Sequence, residues 1–143
     1  MIQIEAATEA TPELEAALAR LLPQLNPNLV VPDAERVRAL LDDPAVTVLL
    51  AKDGADVVGT ATVIVYTTPF WIKARSDEVV VDAGARGKGA GEALVNACLD
   101  IARKRGAQIA ELQSARHREV ANRMYRRMGF RLRDSNLYRM TLD

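Results

Sequence analysis

A short apolar strand that runs through a glycine-rich turn into an amphipathic helix constrains this chain more than any other feature. Val79-Val80-Val81 is β-branched, and the next ten residues contain four glycines, Gly84, Gly87, Gly89 and Gly91. Glycine lets a ligand approach the backbone, and the first N–H groups of a helix have no partner within it. Arg86 and Lys88 add positive charge that a purely structural turn would not need. The segment therefore favours an anion, and a diphosphate above all, at the start of the helix.

Two well-known phosphate-binding motifs do not fit this turn. Gly84 and Gly89 have the spacing of a nucleotide-triphosphate loop, but Ala90-Gly91 follows where that loop needs Lys and then Ser or Thr. Gly87 and Gly89 could begin a dinucleotide fingerprint, but Glu92 stands where the third glycine is required. The turn therefore predicts a phosphate site of another kind.

Apolar periodicity predicts a mixed α/β arrangement over the rest of the chain. The first expected helix starts at Pro12 and is stopped by Pro23, Asn26 and Pro27, and the second spans Asp33 to Asp42. The third runs from Lys88 or Gly89 to Gly106, and the fourth ends at Gly129 after Val120, Ala121, Met124 and Met128. The expected strands are 2–6, 46–51, 57–66, 78–81, 108–112, 130–132 and 137–142. We expect a hairpin around Asp53-Gly54, a loop from Thr67 to Trp71, and a parallel strand–helix–strand crossover over residues 78–112.

Amino-acid composition and charge exclude several classes of protein. One cysteine, Cys98, excludes a disulfide scaffold, and no apolar run approaches the length of a membrane span. The net charge is zero, yet residues 1–85 carry a net −7 and residues 86–133 a net +8. We expect a single cytoplasmic domain covering residues 1–143, with no nucleic-acid partner, no membrane association and no metal site.

Two motifs in these elements resemble the GNAT superfamily, the acyl-CoA-dependent N-acyltransferases. Arg86-Gly87-Lys88-Gly89-Ala90-Gly91 matches the pattern [QR]-x-x-G-x-[GA], and residues 121–130 resemble the family's A-x-x-x-Y-x-x-x-G-F segment. The order of elements is similar over the whole chain. The resemblance implies a twisted, mostly antiparallel mixed sheet of six or seven strands with one splayed parallel pair, flanked by about four helices.

The resemblance also implies a coenzyme site for acetyl-CoA, without a metal. The diphosphate would meet the main chain of Arg86, Gly87, Lys88, Gly89, Ala90 and Gly91. The pantetheine would pair with the main chain of Val79, Val80 and Val81, and an N–H of Val79 or Val80 would polarise the thioester carbonyl. Arg118 stands where the family commonly has the asparagine that holds the cofactor, and Asn122 lies four residues later. Spacing leaves open whether Arg118 makes a phosphate contact or Asn122 the amide contact, and Asn122 is the further candidate for cofactor binding.

The implied reaction is transfer of an acetyl group from acetyl-CoA to a primary amine by direct attack in a ternary complex. An aliphatic ammonium has a pKa of about 10, so a base or a water chain must remove a proton. Asp77 and Glu78 are the candidate bases; the family's acid pair has the reverse order, and reach favours Glu78 slightly. Tyr125 matches the tyrosine that protonates the departing thiolate. A non-catalytic acyl-CoA-binding regulatory or sensor domain stays open as the alternative.

The acceptor is not specified by the sequence. The family holds it with loops that correspond to Leu25–Asp33, Thr67–Arg75 and Arg133–Asn136, and a small-molecule or peptide amine is compatible with them. The acidic first half favours a cationic amine. A homodimer is compatible with the resemblance, but no dimer seam is readable in the sequence.

Overall fold

The computed structural model describes every residue from Met1 to Asp143 and divides into two compact units, Met1–Gln113 and Ser114–Asp143. The larger unit contains β1 (Ile2–Ala6), α1 (Pro12–Leu25), α2 (Ala34–Asp42), β2 (Val46–Asp53), β3 (Asp56–Thr67), β4 (Ile72–Val81), a 3-10 turn (Ala83–Ala85), α3 (Ala90–Lys104) and β5 (Ile109–Leu112). The smaller unit contains α4 (Glu119–Met128). No helix combines the length and the apolar character needed to cross a membrane.

The larger unit is built on one mixed five-stranded sheet in the order β1-β2-β3-β4-β5. The first three pairings are antiparallel, and β4 pairs with β5 in parallel. The expected hairpin is confirmed: Asp53 pairs with Asp56, and Gly54 adopts the positive φ of +63° that the tight turn requires. The predicted crossover is also confirmed, since α3 connects the two parallel strands.

Each face of the sheet buries its own apolar cluster. One cluster joins α3, through Leu94 and Cys98, to strand residues that include Leu49, Val63 and Ala74. The other joins α1 and α2 to the opposite face; its buried members are Leu14, Ala17, Leu18, Leu21, Val37, Leu50, Val57 and Val80. Within the larger unit, the strands therefore lie between α3 on one face and α1 with α2 on the other.

Helix ends follow the sequence signals closely. The Thr11 side chain accepts a hydrogen bond from the N–H of Leu14, and the Asp33 side chain accepts one from the N–H of Arg36. Gly129 ends α4 in the left-handed region at φ +106°. Of the three residues predicted to stop the first helix, Asn26 caps its C-terminal end, whereas Pro23 lies within the last turn. A proline close to the C-terminal end removes only one N–H donor, so α1 completes its last turn to Leu25.

The fourth strand is longer than its sequence predicts. It begins at Ile72 rather than Glu78, so Lys73 and Arg75 lie in a strand and the connecting loop shrinks to residues 68–71. The sequence signal is weak because the inward-facing residues of this stretch, Ala74 and Ser76, are small, although both are buried.

The predicted closing strands are absent, so the sheet has five strands instead of six or seven. Residues 130–132 and 137–142 form no ladder with any strand of this chain. Leu132, Tyr138 and Met140 are exposed. The apolar alternation is present, but a strand also needs a neighbour for its main-chain N–H and C=O groups, which a pattern in one segment cannot supply.

Candidate active site

The open half of β4 is the first component of the site. Strand β5 pairs with β4 only from Lys73 to Ser76, whereas the stretch from Asp77 to Val81 has a strand partner on its β3 side alone. Its other edge therefore presents main-chain donors and acceptors without a strand partner. An extended polar chain can add to such an edge by main-chain hydrogen bonds.

A β-bulge opens this half of the strand. Thr62 pairs with Asp77 and Thr60 with Val80, so Ala61 alone stands opposite both Glu78 and Val79. The extra residue reverses the alternation of side chains. Ala74 packs in the α3 cluster, but Val80, six residues later, packs in the cluster of α1 and α2. No residue pattern indicates this bulge, because Glu78–Val81 has the sequence of a regular strand.

Glu78 carries the strain of the bulge. It is the one non-glycine residue with a positive φ, at +51°, a left-handed conformation that costs on the order of 1 kcal/mol or more outside glycine. Such strain is concentrated at functional positions. The Glu78 residue is exposed, and its carboxylate makes no hydrogen bond or ion pair. This carboxylate is therefore available to an incoming group.

Asp77 differs from its neighbour. Its carboxylate accepts a hydrogen bond from Nε of Arg75 at 3.0 Å, and the same guanidinium donates to Oε1 of Gln113 at 2.9 Å. Removing the charge of Asp77 by protonation would break a charge-assisted contact. Geometry thus separates the two acids that the sequence left unresolved.

The glycine-rich turn forms the second component. Gly87 and Gly89 have φ values of +84° and +83°, and a Cβ added at either would meet nothing within 4 Å. Helix α3 begins at Ala90, one or two residues after the predicted start at Lys88 or Gly89. Gly89, at the N-cap position, has no side chain to cap the helix, which leaves the position suited to an added anion.

Side chains of α1 fix the start of this turn, which the sequence did not predict. Gln24 donates to Asp82 at 2.8 Å and accepts from the N–H of Ala83 at 2.9 Å. Asp82 also accepts from the N–H of Gly84 at 3.1 Å and lies 3.5 Å from Arg20. The Gln24 hydrogen bond, the Gly84 N–H and the nearby arginines hold the pKa of Asp82 below its ordinary value. In the sequence, the one signal of this anchoring is that an acid, Asp82, directly precedes the glycine-rich turn.

The two cations of the turn have different environments. Nζ of Lys88 lies 3.2 Å from the carboxylate of Asp53 at the end of β2, and this contact is the main reason that the pKa of Asp53 is lowered. Arg86 is exposed and forms no ion pair. Arg86 is therefore the better placed of the two to meet an added anion.

A cleft of about 530 Å³ lies beside this turn, between α1 and the β2–β3 hairpin. Its charged lining includes Arg20 with Asp82 and Lys88 with Asp53, and each of these cations already pairs with its carboxylate. The cleft does not include the open edge of β4. The candidate site is therefore the open edge of β4 together with the glycine-rich turn, and not this cleft.

Tyr125 and Asn122 lie on α4, in the smaller unit. The ring of Tyr125 is partly buried and packs edge-to-face against Phe130, with centroids 6.0 Å apart. The side-chain amide of Asn122 donates to the carbonyl of Ala115 at 3.0 Å, and so braces the turn before the helix. These contacts fix the orientation of both side chains within their own unit.

The remaining chemically notable residues form no cluster. No group of three or more His, Cys, Asp and Glu side chains is arranged to hold a metal. Cys98 is buried beside Ser76, and burial raises the pKa of its thiol, which suits packing rather than nucleophilic attack. His117 is exposed.

Comparison with known proteins decides the family. The model described as the Acetyltransferase (GNAT) family matches residues 13–130, most of the chain. The chain belongs to the GNAT family. The resemblance predicted from the sequence is thereby confirmed, and the chain is a member of a family of acyltransferase enzymes.

Individual relatives agree with this GNAT assignment. An uncharacterized N-acetyltransferase of Methanocaldococcus jannaschii is 42% identical over 53 residues, which are 37% of this chain and only 24% of that protein. A transcriptional regulator from Bacillus halodurans C-125 has a similar crystal structure, with 25% identity and a TM-score of 0.83 over 99% of this chain and 100% of that one. An aminoglycoside acetyltransferase from an uncultured soil sample, solved with trehalose, shows the same fold at 21% identity, with a TM-score of 0.86 over 99% and 97% of the two chains.

Proposed function

We propose that this protein transfers an acetyl group from acetyl-CoA to a primary amine by direct attack within a ternary complex. The observation that carries the proposal is the continuity of an open strand edge with a helix start whose N-cap residue has no side chain. The open edge of β4, Asp77–Val81, leads through the glycine-rich turn to the uncapped start of α3. An elongated ligand with amide groups at one end and a diphosphate at the other fits this arrangement.

The glycine-rich turn is suited to the diphosphate. Main-chain N–H groups from Arg86 to Gly91 would bind its oxygens, together with the favourable end of the α3 dipole. The guanidinium of Arg86 is free to add a charge-assisted hydrogen bond, whereas Lys88 would first have to leave Asp53. We therefore assign Arg86 the larger contribution.

The open edge of β4 is suited to the pantetheine arm. Main-chain groups of Val79, Val80 and Val81 would pair with its amides as an added strand pairs with a sheet. The side chain of Val80 is buried in the core, so its contribution is through the main chain alone. At the bulge, an N–H of Val79 or Val80 would polarise the thioester carbonyl. The thioester is the group that acetyl-CoA supplies to the reaction.

Glu78 is our candidate for the base. The acceptor ammonium must lose a proton before its nitrogen can attack, and a carboxylate within reach or one water away can take it. Glu78 is exposed and without an ion pair, while Asp77 is held by Arg75. We therefore assign proton removal to Glu78 and a positioning role to Asp77, through Arg75 and Gln113.

Tyr125 is our candidate for the acid that protonates the departing thiolate. The support for this role is the resemblance of residues 121–130 to the family motif, together with the fixed ring orientation against Phe130. Asn122 remains a candidate cofactor contact, but its amide would have to exchange the carbonyl of Ala115 for the coenzyme.

A cationic amine is the acceptor class that charge favours. The larger unit holds 11 Lys and Arg against 16 Asp and Glu, a net charge of −5, and such a field attracts cations. The solved aminoglycoside acetyltransferase with the same fold is compatible with this class. Aminoglycosides, amino sugars and polyamines are therefore the first acceptors to test.

Two measurements test the proposal in order. Calorimetry should show binding of acetyl-CoA, and the absence of binding at millimolar concentration would end the proposal. Release of free CoA should then be assayed over a panel of small amines, amino acids and peptide N-termini. Binding without CoA release for any acceptor would instead support the acyl-CoA-sensing alternative. The Arg86→Ala and Lys88→Ala variants provide a matched pair, with the greater loss of affinity expected for Arg86→Ala.

A further inference from the structure

An ion pair joins the glycine-rich turn to the β2–β3 hairpin. Nζ of Lys88 lies 3.2 Å from Oδ2 of Asp53, the last residue of β2, and the two residues are 35 positions apart in the chain. Both belong to the larger unit, Met1–Gln113. The contact therefore ties a cation of the proposed coenzyme site to an acid that lies outside the turn.

The two partners are held with different firmness. The main chain of Asp53 lies in the sheet, where it pairs with Ile2 of β1 on one side and with Asp56 of β3 on the other. Lys88 stands between two glycines of the turn, and its side chain is 55% exposed, against 31% for Asp53. A lysine has a flexible four-carbon stem. Lys88 is therefore the partner that can change position when a ligand arrives.

The ion pair directs the amine of Lys88 away from the open edge of β4. Lys88 and Asp53 both line the cleft beside α1, and this cleft does not include that edge. The hydrogen bond from Lys88 is also the largest of the influences that lower the pKa of Asp53, so the carboxylate is charged at neutral pH. Asp53 thus competes for the Lys88 ammonium with any anion that binds at the turn.

This competition should weaken the binding of a diphosphate. To donate to a diphosphate on the turn, Lys88 must first leave Asp53, so the free energy of the ion pair is subtracted from that of binding. Both side chains are partly exposed, and water screens the pair. Ion pairs of this kind correspond to about a two- to fivefold change in an equilibrium constant.

We infer that Asp53 is a positioning residue that lowers the affinity of the glycine-rich turn for the coenzyme by retaining Lys88 at the hairpin. The inference rests on the proposed function and extends it to a residue outside the turn. The product CoA carries the same diphosphate as acetyl-CoA. The contact therefore weakens the binding of product as well as substrate and favours product release, a step that limits the turnover of many enzymes.

The first experiment measures the dissociation constant of acetyl-CoA by calorimetry, at a salt concentration of about 0.15 M. Asp53→Asn should lower this constant by about two- to fivefold relative to the unaltered chain. Asp56→Asn is the matched control, because it changes the net charge equally, lies opposite Asp53 in the same hairpin and removes no ion pair. Its constant should stay close to that of the unaltered chain. An unchanged or higher constant for Asp53→Asn would contradict the inference.

The second experiment separates the contact with Lys88 from the other effects of Asp53. The carboxylate of Asp53 also lies 3.4 Å from the amino group of Met1, and its charge repels anions at a distance. In a Lys88→Met background, Asp53→Asn should therefore change the dissociation constant little. Conversely, Lys88→Met should weaken binding more in the Asp53→Asn protein than in the unaltered one. A gain that persists without Lys88 would show that Asp53 acts by charge alone, and the inference would be wrong.

The sign of the expected change guards against damage to the fold, since a variant that loses structure binds less coenzyme and not more. Thermal unfolding of each variant checks this directly. If the unaltered chain binds acetyl-CoA and Asp53→Asn brings no gain, the inference fails and the proposed function stands. If no variant binds acetyl-CoA, both fail together.

Discussion

The two halves of β4 show how one strand serves two purposes. Residues from Ile72 to Ser76 lie between β3 and β5, and Ala74 and Ser76 are buried beneath α3. Residues from Asp77 to Val81 have a neighbour on one side, contain a bulge, and expose the strained Glu78. The paired half can anchor the strand, so the open half can hold unpaired main-chain groups without unfolding. Stability and chemistry are therefore expected to respond to different substitutions only a few residues apart.

The largest effect is expected in the paired half. Ala74→Asp places an unpaired carboxylate against Leu94 and Cys98 in the α3 cluster, which should cost at least about 4 kcal/mol and leave little folded protein. Glu78→Gln, in the open half, should change the free energy of unfolding by less than about 1 kcal/mol. Chemical denaturation of both variants measures this difference, and equal losses would remove the distinction between the two halves.

The next effect is kinetic and confined to the open half. Glu78→Gln should lower kcat by about 10²–10⁴-fold, the usual contribution of a general base, once an acceptor is known. Asp77→Asn should lower it less, because Asp77 acts through Arg75. A larger loss for Asp77→Asn would reverse the assignment.

A third prediction concerns the glycine-rich turn that continues the open half. Gly89→Ala forces a Cβ into the left-handed region, at a cost of roughly 1–2 kcal/mol, and disturbs the first N–H groups of α3. Affinity for CoA should fall by about tenfold, measured by calorimetry. Gly54→Ala is the matched control, since Gly54 has the same hand of φ in the β2–β3 hairpin. It should lose stability but no affinity.

Relief of backbone strain at Glu78 should raise the free energy of unfolding, by less than the substitutions above lower it. Glu78→Gly removes the Cβ from a residue at φ +51°, and the free energy of unfolding should rise by up to about 1 kcal/mol while activity is lost. Denaturation of this variant beside Glu78→Ala isolates the conformational term. A Glu78→Gly protein less stable than Glu78→Ala would show that the bulge is not strained.

The smallest effect is on pH dependence. The pKa of Asp82 is lowered in the folded protein from 3.8, so its contribution to stability is present above that value and is lost as pH falls through the folded pKa. The melting temperature of the unaltered chain should exceed that of Asp82→Asn at neutral pH, and the two should converge in acid below about pH 4. Asp56→Asn, at an exposed residue without an ion pair, is the control, and its melting temperature at neutral pH should stay close to that of the unaltered chain.

The sequence predicted those features that a single segment determines. The Asp53-Gly54 hairpin, the cap of α1 by Thr11 and the glycine-rich turn all arise from local residue chemistry, and the structure has each of them. The GNAT motifs then supplied the family. Local signals were therefore sufficient for these elements and for the glycine-rich turn.

What the sequence missed depends on partners distant in the chain. The bulge exists because Ala61 stands opposite two residues of β4, and the anchoring of the turn depends on Gln24, 58 residues from Asp82. The closing strands were predicted from alternation, but they lack a neighbour in this chain. The β4 bulge also determines how the two candidate acids differ, which spacing alone left open.

The bulge also limits how this strand can change over time. Deletion of Glu78 would restore regular pairing with β3. It would also turn the side chains of Val79–Val81 to the opposite face of the sheet, so that Val80 would leave the α1 and α2 cluster. After such a deletion, new apolar residues would be needed on both faces of the strand at once to keep both faces packed. The hydrophobic core thus keeps the bulge in place. A lineage of such proteins could therefore lose its catalytic activity and still retain the bulged strand.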